Sequence, residues 1–185
     1  MARAYKDPGV GETVRYPIEA GQRGINKTMI PRMVEVVRKD HAKVREYVVE
    51  ILRPSGCGVK DQMCHTKKIY DYIIKRFYWI EDPVEEETLL WPTRFMREMW
   101  EKGTVYADCA SVNTCLVALL GSVGIRASFV FGGDGQRDEH GEQVVYHVWS
   151  MIDFGKPFYL EPTEYLPAGR AKQFAYMEVV SPWIG

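Results

Sequence analysis

Between Asp108 and Phe131 the hydrophobic period changes once, and no other feature constrains the fold as tightly. Cys109, Val112, Leu116, Leu119, Leu120 and Val123 recur at helical spacing. Gly124 stands where a glycine ends a helix. Ile125, Ala127, Phe129 and Phe131 then alternate as strand residues do. Further strands are expected in VVYHVWSMI at 144–152, FYLEPTEYL at 158–166 and FAYMEVV at 174–180, with GGDGQRDEHG at 132–141 as a polar loop. Upstream, Met33, Val36, Val37, Val44, Val48, Ile51 and Leu52 mark one face of a helix that RPSGCG at 53–58 ends. A second helix is expected from Asp61 to Tyr78, then an acidic turn, IEDPVEEE. A short helix follows, with Phe95, Met96, Met99 and Trp100 inward. Helices first and strands second predict an α+β fold with an antiparallel sheet.

The chain of 185 residues is long enough to bury a core without staples. Residues 1–27 carry glycine, proline and charge but no core pattern. They read as an arm or linker that reaches a second copy or another structural protein, and 28–185 as the domain. A net charge of −1 offers no basic face for nucleic acid. No run approaches the ~20 apolar residues of a membrane span, so no membrane partner is expected. Cys57, Cys64 and His65 lack the paired spacing and fourth ligand of a zinc site, and no metal or other cofactor is expected. The loop at 134–142 lacks the alternation of a calcium loop. Four cysteines do not suggest a secreted disulfide framework, and the N-terminus has no apolar core of a signal peptide. The expected location is the cytoplasm, or a virion assembled there.

A cysteine nucleophile acts as its thiolate, which a helix N-terminus favours. Cys109 opens the periodic helix directly after Asp108, where its own backbone N–H and that of its neighbour are expected free to bind an oxyanion. Cys115, in mid-helix, reads as core. His147 lies on a strand between Val145 and Trp149, in a period of two. Glu161 follows on the next strand. A short DFGKP turn would bring its carboxyl beside the imidazole and fix the tautomer. Asp153 is the rival acid, but it sits at the turn. Trp91 and Tyr106 are candidates to line the cleft before Cys109. His41, His65 and His140 read as surface or helix-end residues.

These residues occur in segments that resemble the transglutaminase-like superfamily. ADCASVNTCLVALLGSVGIRASFVFG at 107–132 resembles its nucleophile helix and following strand, YHVW its His-x-Trp strand, and LEPT its Asp-Pro-Thr segment. RFYWIEDP at 76–83 resembles the aromatic-x-x-Asp-Pro segment of bacterial and phage members. The resemblance covers roughly residues 28–180. It implies a papain-like core and a catalytic set of Cys109, His147 and Glu161. It also implies a thioester intermediate resolved by water or an amine, with a protein or peptide as substrate. Ala107 stands where the family has glycine, and Glu161 where it has aspartate. Two functions follow as expectations: a cysteine hydrolase or acyltransferase, or a component of a phage particle that uses the fold as scaffold.

Overall fold

The structure, a computed structural model, describes residues 5–6, 13–17, 29–82, 86–138 and 141–183. Its first helix, α1 (Met29–Asp40), buries Met29, Met33, Val36 and Val37 along one stripe. The single helix expected through Leu52 is interrupted by a turn at 41–44 before α2 (Arg45–Leu52). Asp40 supplies the reason. Its side chain is buried and accepts hydrogen bonds from the backbone N–H (2.8 Å) and hydroxyl (2.5 Å) of Thr93, in the first turn of α4 (Pro92–Lys102). The residue before α4, Trp91, provides no side-chain cap, so Asp40 caps that helix from outside. Val44 and Val48 are both fully buried, so the apolar pattern runs across the break and conceals it.

Helix α3 (Gln62–Ile74) starts at Asp61, whose carboxylate accepts from the backbone N–H of Cys64. It stops short of the expected Tyr78. Phe77–Trp79 instead forms strand β3, parallel to β5 (Val105–Ala107). Cys57 and Cys64 form a disulfide with a Cα–Cα separation of 5.8 Å, tying the loop after α2 to the first turn of α3. Their spacing alone does not imply the pairing. Such bonds persist chiefly in oxidising compartments. The cysteine argument for a cytoplasmic location therefore loses its support.

Strand β2 (Thr13–Pro17) pairs antiparallel with β4 (Glu86–Leu90) and with the short β1 (Tyr5–Lys6). Part of the expected arm therefore hydrogen-bonds to its own chain. The second half of the molecule is an antiparallel sheet in the order β8-β7-β6-β9. It comprises β6 (Ala127–Gly133), β7 (His147–Asp153), β8 (Pro157–Leu160) and β9 (Tyr176–Val180). The observed class is α+β with an antiparallel sheet.

Helix α5 (Cys109–Ser122) is the centre of the packing. α1, α3 and α4 contact it, as do β4, β6 and β7. Residues on every face of it are buried, including the polar Ser111, Asn113 and Thr114. Gly124 follows its C-cap with φ +81°, and Ile125 N–H bonds back to Leu120 O, as the sequence anticipates. Trp100, expected inward, is 47% exposed and lies against Tyr47 and Tyr72 at the surface.

The Cys57–Cys64 bond closes a short loop at the surface. Replacing both cysteines by serine should cost about 2 kcal/mol of unfolding free energy. Urea denaturation measures that loss, and the alkylation rate of Cys109 should stay that of the parent chain.

Candidate active site

Cys109 is the first residue of α5, and Asp108 is its N-cap. The Asp108 carboxylate accepts from Ala110 N–H (3.0 Å) and Ser111 N–H (2.8 Å). The backbone N–H of Cys109 has no hydrogen-bond partner among the described residues. One of the two expected oxyanion donors is therefore available, and Asp108 occupies the other. Ala107 sits before the N-cap without backbone strain. It is a strand residue paired with Trp79, and Tyr165 is the only non-glycine residue with positive φ among those described.

The expected lowering of the thiol pKa is overturned. Burial pushes Cys109 well above the usual thiol range, and the charge of Asp108 adds to this. A backbone hydrogen bond from Val148 opposes the rise, while Glu87 and Glu161 reinforce it. The helix N-terminus is present, but burial, reinforced by the charge of its capping carboxylate, sets the direction of the shift.

That Val148 contact places the sulfur against β7, at the residue following His147. His147 Nε2 lies 3.1 Å from Glu161 Oε1 and 3.4 Å from Thr163 Oγ1. The Thr163 hydroxyl gives its proton to Glu161 Oε1 at 2.7 Å. With the Glu161 carboxylate as acceptor, the Nε2–H of His147 is the donor, and the Nδ1 edge of the ring is left free of Glu161. Glu161 is fully buried, and its Oε2 has no hydrogen-bond partner. Behind it, the Tyr70 hydroxyl donates to Leu166 O (2.7 Å), and burial followed by the Glu161 charge raises that phenol. Asp153, the rival acid, accepts from Gly155 N–H at 2.8 Å and serves the β7–β8 turn.

Asn113, one turn after Cys109, is the residue that sequence reasoning missed. Its buried amide donates to Val148 O (2.9 Å) and Cys109 O (3.0 Å), and its Oδ1 accepts from Ser150 Oγ (2.7 Å). It thereby bolts the nucleophile turn of α5 to the His147 strand. The available signal is the lone amide in a helical run otherwise made of apolar residues and small hydroxyl and thiol side chains.

A second missed feature is acidic. One carboxylate oxygen each of Asp82, Glu87 and Asp108 lie within 4.8 Å of one another, beside the nucleophile. Thr88 N–H donates to Asp82 Oδ2 at 2.6 Å. Burial, then the charges of Asp108 and Asp82 and a hydrogen bond with Asp82, push Glu87 up to about 8. A proton on Glu87 relieves the repulsion at neutral pH. The sequence shows these residues only as an acidic turn and the residue before Cys109.

The remaining candidates have the following surroundings. Cys115 is buried in mid-helix. His41 Nδ1 lies near the carbonyls of Val37 and Arg38, and its ring meets Trp183 edge-on. His65 lines a cavity of about 480 Å³ with Arg45 and Lys60. His140 falls outside the described residues. In the same loop, Asp134 and Asp138 accept from the backbone of Gln136 and Glu142. Trp91 has its ring near the Lys43 ammonium and a buried Nε1 without a partner. Tyr106 is exposed and stacks on Tyr78 at 5.5 Å.

No family model matches the chain, and no curated protein or solved structure matches it. No helix among the described residues is long and apolar enough to cross a membrane.

Two outcomes follow from this geometry. Glu87 binds its proton more tightly folded than unfolded, so it lends stability at low pH that is lost as pH rises from 4.5 through about 8. Glu87→Gln should flatten that decline, read as Tm against pH, and should speed alkylation of Cys109 at pH above 8. Asn113→Ala strands two buried partners and should cost about 2–4 kcal/mol, read by urea denaturation.

Proposed function

We propose that the chain is a cysteine-dependent acyl-transfer enzyme of the transglutaminase-like type, built on a papain-like core and acting on an amide in a protein or peptide. One observation carries this reading: the His147–Glu161 hydrogen bond of 3.1 Å, on the residue next to the backbone amide that meets Cys109 sulfur. Supporting it are the Nε2–H tautomer, which leaves Nδ1 basic, and the unpartnered N–H of Cys109.

The chemistry follows from these positions. With its pKa raised, Cys109 holds its proton at neutral pH. Transfer of that proton to His147 Nδ1 therefore accompanies attack of sulfur on the substrate carbonyl carbon. The carbonyl electron pair moves to oxygen, where the N–H of Cys109 is one donor to the oxyanion. The tetrahedral intermediate collapses as the amide C–N bond breaks, and the imidazolium gives its proton to the departing amine. Water or a second amine then attacks the thioester, losing its proton to His147 and releasing the thiol. Glu161, buried and shielded from water, stabilises the imidazolium in both halves. None of these steps needs a metal.

An iodoacetamide-type probe tests this reading. The parent should label at Cys109, and Cys109→Ala should abolish labelling. Glu161→Gln should slow acylation by a model amide substrate on the order of a hundredfold with little loss of stability. Asp153→Asn should react as the parent does. If Asp153→Asn stops labelling while Glu161→Gln labels normally, the third residue is misassigned. A particle component that keeps the fold only as scaffold would show His147→Ala and the parent labelling alike.

A further inference from the structure

The His147 imidazole is held at one edge by Glu161, but a single hydrogen-bonded edge does not fix the plane of the ring. Phe174, in the segment that leads into β9, does so from the side. Its centroid is 5.5 Å from that of His147 with the planes 29° apart, and 5.0 Å from that of Trp149 at 20°. His147 and Trp149 are themselves 5.8 Å apart at 28°, so the three rings form one near-parallel group. Tyr146 closes on Phe174 edge-on at 5.8 Å.

The sheet is shaped to admit this ring. Gly132 is the residue of β6 paired directly with His147. A Cβ at Gly132 would lie 2.6 Å from Trp149 and 2.8 Å from Phe174. Any side chain there would wedge the rings apart. Glycine at that position lets Phe174 settle against the histidine and the tryptophan together.

Resting on the acyl-transfer reading above, we propose that Phe174 is a positioning residue for His147. Its ring holds the imidazole in the plane that joins Nε2–H to Glu161 and turns Nδ1 toward the thiol. Its π face also favours the imidazolium that forms when the thiol proton arrives. The charged groups around this stack fit that role. Glu161 receives the Nε2–H, and the Lys172 ammonium, 5.8 Å from the Phe174 centroid, pairs with Glu164 at 3.3 Å. A stack near 5–6 Å also covers the His147–Glu161 hydrogen bond on its open side, which keeps water from competing for it.

The test compares Phe174→Leu, which keeps an apolar side chain without a ring, with Phe174→Tyr, which restores the ring. Two readouts are taken on the full chain: the alkylation rate of Cys109 by iodoacetamide, and the nitrogen-15 side-chain NMR signature of the His147 tautomer. Phe174→Leu should slow alkylation roughly three- to tenfold, the range set by loss of a ring–cation contact. It should also erode the Nε2–H tautomer signal. Phe174→Tyr should recover both to within about twofold, since its ring keeps the same contact. If Phe174→Leu does not fold, Phe174→Met carries the same comparison. Measuring the tautomer also in Cys109→Ala separates this inference from the functional reading. A failed reading leaves alkylation indifferent to His147→Ala, while the tautomer still follows the ring at 174. Parent-like alkylation and parent-like tautomer signals in the leucine and methionine variants would overturn the proposal.

Discussion

The geometry of the candidate site depends on one buried amide. Asn113 is fully enclosed, and its carboxamide spans from the carbonyl of Cys109 to the carbonyl of Val148, with Ser150 bonding from the far side. A helix and a strand brought together by apolar contact alone can slide by a fraction of a turn at little cost, because such contact is not directional. A hydrogen-bonded amide in a dry interior admits one register, since a slipped arrangement strands several polar groups at once. The relative placement of Cys109 and the His147 strand thus rests on a third side chain, bonded to the backbone of each.

Around that bolt the electrostatics run against a resting thiolate. Asp108, Glu87 and Glu161 all oppose charge on Cys109. Glu161 has no exposed surface through which water can screen it. Surroundings of this kind keep the thiol protonated at rest. In the proposed reaction its proton moves in the same step that forms the bond to sulfur. A stored thiolate would be open to oxidation, whereas a protonated, half-buried thiol is far less so.

Much of this was legible in the chain before any coordinates. The α5–β6 unit could be read because its two periods, near 3.6 and then 2, are long and clean. Cys109, His147 and Glu161 could be found because each is an odd residue in an otherwise regular pattern: a thiol at a helix start, a ring on a core strand, an acid at a strand end. β3 and β5 are three residues each, too short to show any alternation, so Phe77–Trp79 was absorbed into the preceding helix. The interruption after Asp40 escaped because the apolar stripe stays in phase through Val44. The acidic cluster joins two segments some twenty residues apart, and the Cys57–Cys64 bond depends on how the chain turns after α2. Both are facts of tertiary packing that spacing does not encode.

Helix α5 has protein on all its sides, with buried residues around its whole circumference. An element so enclosed has no free surface through which it can be nudged. It behaves as a fixed axle, with Cys109 at one tip, and the outer helices can drift while that tip stays in place. In an architecture of this kind, the periphery can be remodelled while the central helix and the residue at its tip keep their place.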